Sequence, residues 1–242
     1  MGHTQADQGA IAARRADAGV VRLSGRDVAG LVLCADMYGA PYDLLATYLG
    51  VREDRLRAIV ARWRQAGYVA TGRLGAGPTW CWVTRAGLGV TGLPYTPCRP
   101  AAARLAHLRA VLAVRLALEA GPAYQDGRAW WRCERRIRAA IGGRAAGHVP
   151  DAEVSWPDLP ASPYPGECWA IEAELTPKPA LRTVEIMTEL LASIRYAQVI
   201  YLTAPGARTV VTRVAASLPP GERSRMVVRD LPESAFTEEP PR

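Results

Sequence analysis

The chain has 242 residues, 49% of them hydrophobic and 22% charged, with a formal net charge of +7. That supports one large or two small buried cores, and the basic balance favours an anionic partner. Five widely spaced cysteines without a Cys-x-x-Cys pair exclude zinc-finger spacing; the best apolar run, Leu105–Leu118, is broken by Arg109 and Arg115, which excludes a membrane span.

No basic start followed by an apolar run opens the chain, so a cytoplasmic protein with buried free thiols is expected. The charge is unevenly spread. The basic excess lies in residues 1–148, an acidic excess follows, and the single lysine is Lys178.

In chain order, residues 1–21 are Ala-, Gly- and Asp-rich without apolar periodicity and read as a flexible tail. Ser24 can cap a helix carrying Val28, Leu31, Val32 and Ala35. A short helix follows over Tyr42–Tyr48, with the turn at Leu49-Gly50. A third helix is predicted over Arg52–Ala66, with Leu56, Ile59, Val60 and Trp63 as its apolar stripe and Glu53 and Asp54 at its positive end. Two strands, 68–71 and 79–84, flank a Gly-rich turn. This order, over residues 22–97, is that of a winged helix-turn-helix. Its third helix would enter the major groove of double-stranded DNA and its hairpin would lie against the backbone or minor groove. Arg52, Arg55, Arg57, Arg62 and Arg64 of that helix and Arg73 at the hairpin tip are the candidate DNA contacts, to guanine edges or to phosphates. A winged helix used for protein contacts or dimerisation stays open.

The second unit is expected over residues 98–231. A Pro-rich linker, Pro94–Pro100, leads to a helix over Ala101–Ala120. His107 lies on it, and a lone helical histidine is more often packed than catalytic. Trp130–Arg138 reads as a strand or a strand plus turn. Strands are predicted from about Pro150 to Trp156 and over Cys168–Thr176, a helix over Leu181–Arg195, a buried strand over Ala197–Thr203, a helix over Arg208–Leu218 and a last strand over Met226–Arg229. Residues 232–242 read as a second tail.

Glu172 and Glu174 are two apart on a strand and so point to one face. Paired carboxylates repel and call for a compensating cation. Mg²⁺ or Mn²⁺ is the natural choice, with Asp151 at the start of the neighbouring strand as a third oxygen ligand. Such a site activates water for phosphodiester hydrolysis, and Lys178 could steady the developing phosphate charge. Glu134 and His148 are weaker candidates. A solvated sheet face carrying two acids is the plain alternative.

The spacing Pro150-Asp151, twenty residues, Glu172-Ala173-Glu174 resembles the PD-(D/E)xK nuclease superfamily in its E-x-E form. The resemblance implies a restriction-endonuclease-like mixed sheet flanked by helices, α/β within an α+β whole. It implies that Asp151 and Glu172 hold the metal, with Glu174 standing where lysine is usual. A winged helix ahead of this pattern, with Pro150-Asp151-Ala152, the Glu-x-acid strand and Tyr196 after the following helix, is similar to the replication–relaxation family. That implies a metal-dependent DNA endonuclease, nickase or relaxase-like factor of plasmid or mobile-element replication or transfer. The alternative is a non-catalytic DNA-binding replication or transcription regulator with a degenerate nuclease-like unit. Tyr196 as a nucleophile is the lesser reading beside a packed aromatic. A homodimer stays open.

Overall fold

The computed structural model describes residues 22–126, 129–142, 147–160 and 162–236; the predicted N-terminal tail lies outside them. Mixed α/β architecture is built from two sheets. The first part runs α1 (Gly25–Asp36), β1 (Ala40–Pro41), α2 (Tyr42–Leu49), α3 (Glu53–Gln65), β2 (Val69–Gly72), β3 (Trp80–Val83) and α4 (Arg85–Thr91). The strands form an antiparallel sheet in the order β1-β3-β2.

Local chemistry sets these elements. Ser24 caps α1 in a reciprocal capping box: its Oγ accepts from the Asp27 amide at 3.2 Å, and the Asp27 carboxylate accepts from the Ser24 amide at 2.8 Å. Gly50 ends α2 at φ 62°, a left-handed conformation that glycine adopts without a Cβ penalty. The predicted stripe of α3 is buried, with Trp63 wholly enclosed.

The second part runs α5 (Leu105–Glu119), a short helix α6 (Pro122–Gln125), β4 (Trp130–Cys133), α7 (Glu134–Ile141), β5 (Ala152–Ser155), β6 (Cys168–Glu174), α8 (Ala180–Ala192), β7 (Gln198–Thr203), α9 (Pro205–Ser217), a single turn α10 (Pro220–Arg223) and β8 (Met226–Asp230). The sheet order is β4-β5-β6-β7-β8. The pairs β4/β5 and β5/β6 are antiparallel, and β6/β7 and β7/β8 are parallel. Helix α5 packs on one face, against Val154, Ile171 and Ala173. Helices α8 and α9 cover the other, where Ile186, Met187, Val211 and Val214 meet Ala170, Val199 and Tyr201. The result is a three-layer stack.

Three features differ from the sequence expectation. Trp130–Arg138 is a strand followed by a helix, with the Glu134 amide bonded to the Asp151 carbonyl at 2.9 Å. Residues 232–236 are not a tail: Glu233–Ala235 forms a 3-10 turn against α5, with Ala235 buried. The remainder of the predicted second tail, 237–242, lies outside the described residues.

The third difference is that the two predicted units share one apolar core, which runs from Leu31 and Val60 through Leu112 to Trp131 and Ile171. Buried charges stitch the junction. Arg135 donates to the Ala35 carbonyl at 2.6 Å and lies 4.4 Å from the Tyr95 ring centroid. Buried Asp36 accepts from Tyr95 Oη at 2.8 Å and Arg136 Nε at 2.9 Å, and Arg109 grips Asp43 through two nitrogens at 3.0 and 2.6 Å. Bidentate guanidinium–carboxylate pairs of this kind fix orientation as well as charge. All five cysteines are free thiols, and among the described residues no helix is long and apolar enough to cross a membrane.

Candidate functional site

Strand alternation places the acids. On β6, Trp169, Ile171 and Ala173 face α5, whereas Ala170, Glu172 and Glu174 face the α8–α9 layer. Ala152 pairs with Ile171, so Asp151, one residue earlier on the antiparallel neighbour, comes opposite Glu172. On the other side Glu172 pairs with Tyr201 and Glu174 with Thr203. The two glutamates are buried, at 4% and 6% exposure, which rules out a solvated face.

Each acid has a basic partner. Asp151 Oδ1 meets His107 Nε2 at 2.9 Å, and its Oδ2 accepts from the Ala173 amide at 2.9 Å. Glu172 Oε1 meets His148 Nε2 at 2.8 Å. His148 is itself anchored, its amide donating to Glu189 Oε2 at 2.6 Å. Lys178 Nζ bonds Glu174 Oε2. Sequence reasoning set His107 aside as a packing residue and ranked His148 low; both touch the central acids. The signal was absent from the sequence because the partners are 44 and 24 residues apart. Glu134 pairs with Arg104 and Arg138 instead, at 3.2 and 2.7 Å.

Electrostatics make Glu172 the centre. Burial, and then the Asp151 charge, push its carboxyl up to about 7, although His148 and Lys178 pull the other way. Burial pulls His107 and His148 down, but their carboxylate partners outweigh it and both stand above the ordinary imidazole value. The Tyr201 hydroxyl is buried without a hydrogen-bond partner among the described residues. Burial and the charges of Glu172, Glu174 and Asp151 push that phenol up.

These observations test the expected metal. Among the described residues no group of three or more His, Cys, Asp or Glu side chains is arranged to hold a cation. The predicted triad of Asp151, Glu172 and Glu174 does not form such a group, and Glu174 is committed to Lys178. Asp151 and Glu172 are hard oxygen donors on neighbouring strands, with both Asp151 oxygens and Glu172 Oε1 already hydrogen-bonded and the Tyr201 hydroxyl, on the next strand, unpartnered among the described residues. Mg²⁺ commonly takes one or two carboxylates and completes its shell with water and substrate phosphate.

Tyr196 is buried, and its hydroxyl donates to Glu153 Oε1 at 2.9 Å. Burial and the Glu153 charge raise that phenol, which argues against a nucleophilic role.

The arginines of the first part divide. Arg52 pairs with Asp54 at 2.7 Å and Arg57 with Glu53, all exposed. Arg62, itself exposed, pairs with buried Asp27, which also accepts from Trp63 Nε1 at 2.8 Å, tying α3 to α1. Asp27 is held low because the Ser24 and Trp63 hydrogen bonds and the Arg62 charge outweigh the cost of burial. Arg55, Arg64 and Arg73 are exposed and form no ion pair among the described residues. A groove of about 300 Å³ runs between α3 and the hairpin, with Arg57 and Arg64 beside Thr71 and Thr79. A separate, wider one of about 790 Å³ has mixed charge, with Arg57, Arg73 and Arg109 beside Asp43, Glu53 and Glu233. No protein-family model matches the sequence, and no curated protein matches it.

Proposed function

We propose that the chain is a cytoplasmic DNA-binding protein that hydrolyses phosphodiester bonds, the α1–β3 part acting as a winged helix that places double-stranded DNA and the β4–β8 sheet carrying the chemistry. The observation that carries this reading is buried Glu172 set opposite part-buried Asp151, flanked by His107, His148 and Lys178. A buried acid raised towards neutrality, beside a second acid and two histidines, is the pattern of a site built for charge and proton handling rather than for stability. The sheet run β4-β5-β6 antiparallel, followed by α8 and a parallel β7, supports the likeness to PD-(D/E)xK nucleases, although α6 precedes β4 and α7 stands between β4 and β5.

Asp151 and Glu172 would hold Mg²⁺ or Mn²⁺, which supplies Lewis acidity and a water of lowered pKa. The chain's own residues then have distinct tasks. The Ala173 amide and His107 fix the Asp151 carboxylate. His148 orients Glu172 and sits where it can carry a proton. Lys178 neutralises Glu174, leaving its ammonium close enough to meet a phosphate oxygen when Glu174 yields it. On the DNA side, Arg55, Arg64 and Arg73 have charge to spare for phosphates.

Relaxation or nicking of supercoiled plasmid in Mg²⁺ or Mn²⁺ tests the reading: the wild type cuts, and the Asp151→Ala/Glu172→Ala double variant does not. One observation favours the second reading, a non-catalytic DNA-binding regulator. Every acid at the site already has a basic partner, so the cluster is nearly neutral without a metal. On that reading DNA binding is salt-dependent and survives loss of both acids, and neither protein cuts.

A further inference from the structure

One sheet row from the carboxylates, on the same face, lies a second polar cluster with a different balance. Arg132 on β4 pairs with Glu153 on β5, and Glu153 with Ala170 on β6; the next row is Asp151–Glu172–Tyr201. Residues two apart on a strand are separated by ~7 Å. Glu153 is almost wholly buried, at 1% exposure. It accepts from Arg195 Nε and Nη2, both at 2.8 Å, from Arg132 Nη1 at 3.1 Å and from Tyr196 Oη at 2.9 Å. Four donors, from two guanidinium groups and a phenol, converge on one carboxylate. One buried negative charge thus anchors two guanidinium groups, both part-exposed at 31% and 48%.

Arg132 spends one N–H on Glu153 and Arg195 two. A guanidinium carries five donors, so most have no partner among the described residues. These groups open on a cavity of about 590 Å³ that is also lined by His148, the residue bonded to Glu172. Its opposite wall is the apolar side of α7, Ile137 and Ala140. A net cationic pocket with oriented, unspent guanidinium donors fits a tetrahedral oxyanion.

We infer that this cavity is a phosphate-binding subsite, in which Arg132 and Arg195, held by Glu153, take the backbone phosphate next to the one presented at Asp151 and Glu172. The inference rests on the nucleic-acid reading above. It makes Glu153 a positioning residue and gives the two units different work: the α3 surface holds the duplex, and this pocket sets which phosphate reaches the acids. Neutralising Glu153 alone would require one guanidinium rather than two.

The test is a titration of the full chain with inorganic phosphate, followed through the ¹⁵N–¹H signals of the arginine Nε–H groups. Saturable shifts are expected at Arg132 and Arg195, and Arg132→Gln should weaken binding ~10-fold. Arg195 and Tyr196 still satisfy Glu153 in that variant, so the fold is expected to hold. Glu153→Gln removes the charge that holds both guanidinium groups, so Arg132→Gln should cost less phosphate affinity in that background than in the wild type. Absence of shifts at the two arginines, an unchanged affinity in Arg132→Gln, or an equal loss in both backgrounds overturns the subsite as drawn. The plasmid assay separates the two claims. Phosphate bound at Arg132 by a protein that does not nick DNA leaves the subsite standing and removes the nuclease. Nicking by a protein whose phosphate affinity ignores Arg132→Gln does the reverse.

Discussion

Glu172→Gln isolates the electrostatic cost of the site. The carboxyl is raised from 4.5 to about 7. At ~1.4 kcal/mol per tenfold change in proton affinity, holding it ionised costs the native state on the order of 3 kcal/mol. The sign follows from linkage. An acid whose folded value lies above its unfolded value binds the extra proton in the native state, so its contribution is present below pH 4.5 and is lost as pH rises through about 7. The raised His148 has the same sign: its contribution is present below the ordinary imidazole value and is lost as it deprotonates. Glutamine keeps the shape and abolishes the charge. In urea unfolding with chelator present, the stability of Glu172→Gln relative to the wild type should therefore rise as pH goes from about 4.5 to about 7 and level off above, by a total of ~3 kcal/mol. A stability difference that does not vary with pH would refute the argument that Glu172 is a strained, charge-starved acid. Gain of stability on removing a site residue is the usual mark of a functional rather than structural position.

Other outcomes follow from the same geometry. Asp27→Ala removes the carboxylate half of the α1 capping box and leaves the Trp63 indole N–H and Arg62 unpaired; chemical denaturation should show a loss of ~3 kcal/mol or more. Arg55→Gln and Arg64→Gln should each weaken duplex binding without altering the melting temperature, and each should lower the salt slope by ~1, whereas Arg62→Gln should lower the melting temperature. A Cβ at Gly87 would fall 2.1 Å from the Tyr68 carbonyl oxygen, so Gly87→Ala should destabilise the hairpin–α4 junction by ~2 kcal/mol or more in thermal unfolding.

What the sequence shows of this protein is what periodicity can carry. The stripe Leu56, Ile59, Val60 and Trp63 locates α3, and the Glu172–Ala173–Glu174 alternation puts two acids on one face; both are local patterns with a fixed repeat. Helix α7 was hidden because Trp130-Trp-Arg-Cys favours a strand and Cys133 offers no side-chain cap to announce the helix that follows. Strand β1 has two residues and exists only through its pairing with β3. The partners of the acids were hidden for a different reason. His107 sits on a helix whose apolar face is the stronger signal, and only the docking of α5 on the sheet brings it to Asp151. The same holds for Arg62, whose place on the exposed side of α3 suggests a DNA contact until α1 is packed beside it and presents Asp27. The shared core was also illegible, because a Pro-rich stretch reads as a linker whether or not the segments it joins pack together.

The central claim is that the Asp151–Glu172 pair performs phosphodiester hydrolysis on DNA placed by the first part. Conversion of supercoiled plasmid to open-circular form, measured against Mg²⁺ and Mn²⁺ concentration for the wild type and the Asp151→Ala/Glu172→Ala variant at matched DNA occupancy, addresses it most directly. Metal-dependent nicking by the wild type alone is the predicted result. Equal nicking by both proteins, or none by a wild type that binds the plasmid, would contradict it.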